Sequence, residues 1–428
     1  MSSRYLKSEE QLARARKVIP LGAQTFSKSI TQFPQGVSPY FARRAKGSRV
    51  WDVDGNEYVD FASALAAISL GYADADVNAA VSKQLADGTI YSLSHPLEAE
   101  VAELICDAVP CAEAVRFGKN GSDATAGAIR IARAYTGRDH VLVCGYHGWQ
   151  DWYIGATARN KGVPQATSSL THTFPYNDLP ALEALLDQLP GQVAAVILEP
   201  MNATKPADGY LQGVKTLTAK AGAILVFDET ITGFRYALGG AQERFGVTPD
   251  LATFGKALAN GFPLSAVAGR RDIMMEMEHV FFSFTMGGET LSLAAAKATI
   301  EKLRREPVIE TVASNGARLM RGAADAIEKS GCANLLGMSG DATWSFLTFK
   351  DGPQASSFAL KTLWLQELFA RGFLSVGTHL VTYAHTPDDV DGLIAAYNEI
   401  FPLLADAAEN GTAKLLKCEP LEPLFKVR

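Results

Sequence analysis

Between about residue 98 and residue 305 the chain alternates short apolar runs with helix-like stretches, a pattern that few folds can absorb. The runs Ala114–Phe117, Val141–Cys144, Ala194–Leu198, Ile224–Phe227, Ala252–Phe254 and Ala266–Ala268 are each long enough for one strand and too short for a helix. Their near-continuous apolar character predicts strands covered on both faces. Ser122–Tyr135, Leu179–Leu189 and Val214–Ala221 are the helices expected to cover them, and Leu291–Arg305 reads as a longer helix leading out of the layer. The expected class is α/β, with a mostly parallel sheet between helices.

The flanks read differently. Residues 8–18 carry an amphipathic helical pattern that Pro20 and Gly22 end, and residues 23–47 are polar and irregular. A hairpin is expected where Arg49–Val53 and Glu57–Phe61 flank the turn Asp54-Gly55-Asn56. Beyond about residue 315, helices mix with short strands. The expected division is an N-terminal segment and hairpin over 1–65, a large domain over 66–314, and a smaller α+β domain over 315–428 that packs with the N-terminal segment.

Bulk properties narrow the function. A formal net charge of −6 argues against nucleic acid or an anionic membrane as the main partner, while leaving room for a basic pocket. Five cysteines, odd in number and without CxxC or zinc spacing, predict a reducing compartment and no metal site. The charged N-terminus lacks a signal-peptide core and no apolar stretch reaches the roughly 18 residues of a membrane span. A soluble, cytoplasmic protein is expected.

Ligands of open α/β sheets sit beyond the carboxyl ends of the strands, so the residues after each run matter most. Gly118 to Thr125 follows the first run and opens a helix. Small residues there suit a phosphate cradle made of amide N–H groups and the helix dipole, or simply a cap made by Ser122 or Asp123. Asp228 ends a buried run and needs a partner: a protonated pyridine nitrogen, or a capping contact. A Mg²⁺-holding acid of a nucleotide hydrolase would require GxxxxGK[ST], which is missing. Lys256 lies among small and apolar residues with no acid beside it. Desolvation there would make a good Schiff-base lysine, and an ordinary loop lysine is the plain alternative. Tyr146, in Tyr146-His147-Gly148-Trp149, could stack on a flat ring or simply be a loop aromatic.

Cradle, aromatic, strand-end Asp and a Lys 28 residues later, taken in order, resemble the class III aminotransferases, fold type I enzymes that use pyridoxal 5′-phosphate (PLP). The resemblance runs from about Ile19 to Phe401 and is nearest to the glutamate-1-semialdehyde 2,1-aminomutase branch. The stretches AKGSRVWDVDGNEYVDF, VRFGKNGSDATAGAIRIARAYTGR, GYHGW, FDETITGFR, PDLATFGKALANGFPLSAVAG and YAHTPDDVD carry it. It implies that Lys256 forms the Schiff base and moves the proton, and that Asp228 pairs with the ring nitrogen. Gly121 and Ser122 would hold the phosphate, with Tyr146 on one ring face and Thr230, where the family usually has Val or Ile, on the other. Thr285 matches a threonine that reaches the neighbouring subunit's cofactor, which implies a homodimer with shared active sites. Glu199 matches a glutamate near the cofactor.

Two departures bear on the substrate. Lys28 stands where the aminomutases place a carboxylate-binding arginine, and lysine cannot make the bidentate fork. The segment around His379 is about four residues shorter than its counterpart. Glu289-Thr290 also replaces a customary Asn-Pro. The changes at Lys28 and around His379 favour an intermolecular, ping-pong aminotransferase over an intramolecular aminomutase, with an inactive binding protein as the remaining alternative. Its partners would be a small-molecule amino donor and a carbonyl acceptor. Tyr91, Ser92, Trp149 and His379, as a mixed aromatic and polar wall, suit a sugar or sugar-acid acceptor.

Overall fold

All six expected strands form, and a computed structural model, which describes residues 3–422, places them in one seven-stranded sheet. Its order is Ala114–Gly118, Ser265–Gly269, Leu251–Phe254, Ile224–Asp228, Val193–Leu198, His140–Cys144 and Thr171–Thr173. Neighbours are parallel except Ser265–Gly269, which runs antiparallel to both of its partners. The ten residues linking it to Leu251–Phe254 are too few for a crossover helix, so the chain turns back instead. The strand Thr171–Thr173 was not expected from the sequence; three polar residues on a sheet edge leave no apolar run to read.

Side-chain alternation along the central strands feeds two cores. Ala195, Ile197, Ile224 and Val226 pack with Ala124, Ala128 and Ile131 of the helix Gly121–Thr136. Val196, Leu198, Leu225 and Phe227 face the opposite way, onto Leu182, Leu186 and Val214. Period two therefore puts Asp228 on the same face as Val226, the face of the helix Gly121–Thr136.

The chain divides into two compact units: residues 3–65, 69–74 and 310–422 of the described chain, and residues 66–68 and 75–309. The second division falls inside the helix Val308–Lys329, five residues before the expected boundary at 315. A continuous helix carries no loop signature, which is why composition placed it late. In the first unit, the hairpin strands Arg49–Asp52 and Glu57–Asp60 form as expected, joined by Ala42–Lys46 and by Phe373–Leu374. A core built on Trp364, Tyr397, Phe401 and Phe61 fills this unit. No helix among the described residues is long and apolar enough to cross a membrane.

Two histidines are shut into this core. Burial pushes both His379 and His385 down to about 4 from 6.5. The unfolded chain then binds protons that the folded chain refuses. Their contribution to stability is complete above about pH 6.5 and is lost as the pH falls toward about 4. Urea melts between pH 7 and pH 4 should show stability falling across this window, with a shallower slope in His379→Gln; an identical slope in the variant would contradict the reading.

Candidate active site

Asp228 ends its strand with a buried side chain, 5% exposed. His147 Nδ1–H donates to Oδ2 at 2.8 Å. Oδ1 accepts from the Thr230 amide at 3.1 Å, the Thr230 hydroxyl at 2.5 Å and the Thr253 hydroxyl at 3.1 Å. Burial alone would raise the carboxyl, but the bonds from His147 and Thr230 outweigh it and hold Asp228 below the usual carboxylate range. Glu229 turns the other way, its carboxylate taking the amides of Ala241 and Gln242 and the hydroxyl of Thr232. The acidic pair thus splits between a cavity and a loop anchor and does not converge on one point.

The expected cradle residues open the helix Gly121–Thr136. Asp123, in the first turn, reaches back to the amides of Lys119 at 3.0 Å and Asn120 at 2.7 Å. The amides of Gly121 and Ser122 have no acceptor among the described residues, as expected for the first N–H groups of a helix. The loop after His140–Cys144 closes over this end: the Thr125 hydroxyl donates to the His147 carbonyl at 2.8 Å, and the Trp149 amide to Ser122 Oγ at 3.3 Å. Gly148 lets the loop come so near, since a Cβ there would lie 2.2 Å from Ser122 Oγ, and its φ of +103° excludes most side chains.

Lys256 follows Leu251–Phe254 on a backbone with φ of 46°. A left-handed lysine costs roughly 1–2 kcal/mol, so the fold must impose it. The buried residues Ala257, Leu258 and Ala259 of the next turn anchor it. Lys256, Asp228, Thr230, Gly121, Ser122, Tyr146, His147 and Glu199 all line one cavity of about 180 Å³. Tyr146 is half-exposed and meets Tyr153 edge-on at 5.7 Å. Buried Glu199 accepts from the Tyr146 amide at 3.2 Å, so it holds the loop that carries this aromatic.

The other expected residues lie elsewhere. Thr285, Tyr91 and Ser92 line a separate hollow of about 450 Å³. The Tyr91 hydroxyl is engaged with the carbonyls of Asp87 and Gly88, and its ring stacks on His95. Trp149 is 68% exposed and borders another surface hollow. Lys28, exposed, edges a hollow of about 320 Å³ inside the first unit, walled by Phe33, Tyr40 and Leu65 among others. His379 needs correction as a substrate residue. It is buried, with Nδ1 on the Ser345 hydroxyl at 3.2 Å and Nε2 on the Tyr397 hydroxyl at 2.5 Å, so both ring nitrogens are spent inside the core. Within one chain Tyr91 and Ser92 share a hollow with Thr285 while Trp149 borders another, and His379, spent in the core, leaves the mixed wall that suggested a sugar.

His147 was not among the residues singled out from the sequence, although it lies beside Tyr146. A strand-end acid needs a donor, and a histidine beside the aromatic candidate was the available signal. What Glu289 does was not read from the sequence either: the carboxylate caps the helix Thr290–Arg305 through the Leu291 amide at 2.7 Å and pairs with Lys119 at 3.0 Å. The loop bearing Thr285 is thereby tied to Lys119, two residues before Gly121.

The residues of the 180 Å³ cavity fit PLP. An anion site, an anionic acceptor for a ring N–H, an aromatic face and an amine open onto one space. Comparison with known proteins agrees. Residues 32–338 match the model of the class-III aminotransferases. The 3-aminobutyryl-CoA aminotransferase of Cloacimonas acidaminovorans (strain Evry) is 34% identical, covering 92% of this chain and 96% of its own. The glutamate-1-semialdehyde 2,1-aminomutase 2 of Brevibacillus brevis is also 34% identical, covering 91% and 97%. The FumI protein of Sphingopyxis sp. MTA144, solved in its PLP internal aldimine form, superposes with a TM-score of 0.87 at 28% identity, over 96% of this chain and 98% of its own. With its fold type I architecture and PLP as its cofactor, this chain belongs to the class-III aminotransferases.

Proposed function

We propose that the enzyme moves an amino group from a small-molecule donor to an aldehyde or ketone in two half-reactions, with Lys256 as the residue that carries PLP and transfers the proton. The observation behind this is the convergence of Lys256, Asp228 and the Gly121–Ser122 cradle on one cavity. Bound there, PLP supplies an aldehyde that condenses with amines and a protonated ring that accepts electrons. The chain's own contributions are separable. Gly121 and Ser122 offer N–H groups and a hydroxyl to the phosphate. Asp228, kept anionic by His147 and Thr230, holds the proton on the ring nitrogen. Tyr146 covers a ring face, and Glu199 fixes the loop that presents it. The Lys256 amine serves as base and then acid at the substrate carbon.

The two relatives at 34% identity are named as an aminotransferase and an aminomutase, so both outcomes suit the scaffold. Lys28 in place of an arginine supports the transferase: a single ammonium makes a poorer grip on a carboxylate that must stay bound through both halves of an isomerisation. The acceptor class remains aldehyde or ketone. Five free cysteines support placement in a reducing compartment such as the cytoplasm.

The arrangement of Thr285 supports an active site shared between two copies. In its own chain it lines a different hollow from Lys256. Half-exposed Ile90 and Phe284 line the same hollow, beside Ser92, Arg116 and Ser283.

Two measurements test these readings. Holoenzyme given an amino donor and no acceptor should release one keto product per active site and stop, and Lys256→Ala should release none. Continuous turnover of one amino-aldehyde without keto product would establish the aminomutase instead. Mixed dimers of Lys256→Ala with Thr285→Ala subunits should recover about half the wild-type activity per dimer, because one site regains both residues when Thr285 acts across the interface. No recovery on mixing would place Thr285 in its own subunit's site.

A further inference from the structure

The donors around Asp228 are unevenly shared. Of the four that point at it, the Thr230 amide and the hydroxyls of Thr230 and Thr253 crowd onto Oδ1, and only the His147 ring takes Oδ2. A carboxylate oxygen offers about two lone pairs, so a ring N–H arriving in the cavity would find its opening on Oδ2 of a carboxylate whose charge the Oδ1 donors already draw on. The amide and the imidazole are fixed by the backbone and by burial. Of the two hydroxyls, Thr253 lies on the neighbouring strand directly across from Asp228 and is fully buried. Thr230 alone among the hydroxyl donors also lines the cavity. Its methyl is boxed in: a Cβ on Gly121 would come within 3.0 Å of Thr230 Cγ2, and one on Gly255 within 3.4 Å. That packing keeps the hydroxyl turned to Asp228, 2.5 Å away, and the methyl toward the cradle.

We propose that Thr230 is a positioning residue whose hydroxyl sets how strongly Asp228 holds the proton on the cofactor's ring nitrogen. The inference rests on the reading of Asp228 as the partner of that nitrogen. A donor on Oδ1 draws negative charge away from the carboxylate and weakens its hold on the ring N–H. Thr230 thus moderates the electron-accepting power of the ring, which Asp228 alone would set higher. A valine of the same shape would keep the packing against Gly121 and Gly255 and lose only this moderation.

The test uses holoenzyme loaded with PLP labelled with ¹⁵N in the ring. In Thr230→Val the ring ¹⁵N resonance should move toward the protonated-pyridine position, and the PLP dissociation constant should fall by about 2- to 10-fold, the equivalent of one hydrogen bond. Thr230→Ser, which keeps the hydroxyl, should match the wild type in both. A resonance that stays put in Thr230→Val, or that moves equally in Thr230→Val and Thr230→Ser, overturns the proposal. The reading beneath it fails separately: in that case Asp228→Asn would leave the wild-type ¹⁵N position unchanged.

Discussion

An acid buried at the end of a strand is the constraint around which the site is organised. Taking a carboxylate out of water is costly unless donors replace the water. The fold replaces it with an imidazole, an amide and two hydroxyls, drawn from three pieces of the architecture. Thr253 comes from the next parallel strand in register, Thr230 from the turn that ends Asp228's own strand, and His147 from the loop beyond His140–Cys144. Parallel strands make this possible, since the turn after Ile224–Asp228 and the loop after His140–Cys144 then emerge at the same edge of the sheet.

The same loop connects the acid to the phosphate end. Gly148 brings it against Ser122, Thr125 holds the His147 carbonyl, and Glu199 holds the Tyr146 amide. One loop therefore spaces the residues proposed as ring-nitrogen partner, stacking aromatic and anion cradle. Lys256 completes the set from a strained backbone. Strain at the lysine proposed to carry PLP is consistent with a fold that gives up stability to fix a side chain's direction.

Much of this was legible in the sequence, for identifiable reasons. Near-continuous apolar runs disclosed six strands, because burial on both faces suppresses alternation. Asp228 and Lys256 stood out as charges in apolar or small-residue settings. What stayed hidden depended on three-dimensional neighbours. The left-handed backbone of Lys256 has no sequence mark, since non-glycine residues seldom adopt it. His147 looked like a companion of Tyr146 until its ring was seen against Asp228. His379 sits in a segment that suggested a substrate contact, yet Tyr397 and Ser345 absorb it into a core. Tyr91 and Ser92 were grouped with Trp149 by chemistry alone, and within one chain they line different hollows.

The account turns on which amine meets the cofactor. Reduction of PLP-loaded protein with borohydride, followed by digestion and mass spectrometry, fixes the cofactor to the lysine it is bonded to. The peptide containing Lys256 should carry the pyridoxyl mass, and no other peptide should carry it in stoichiometric amount. A stoichiometric label on a different lysine, or no label on protein shown to hold PLP, would contradict the account.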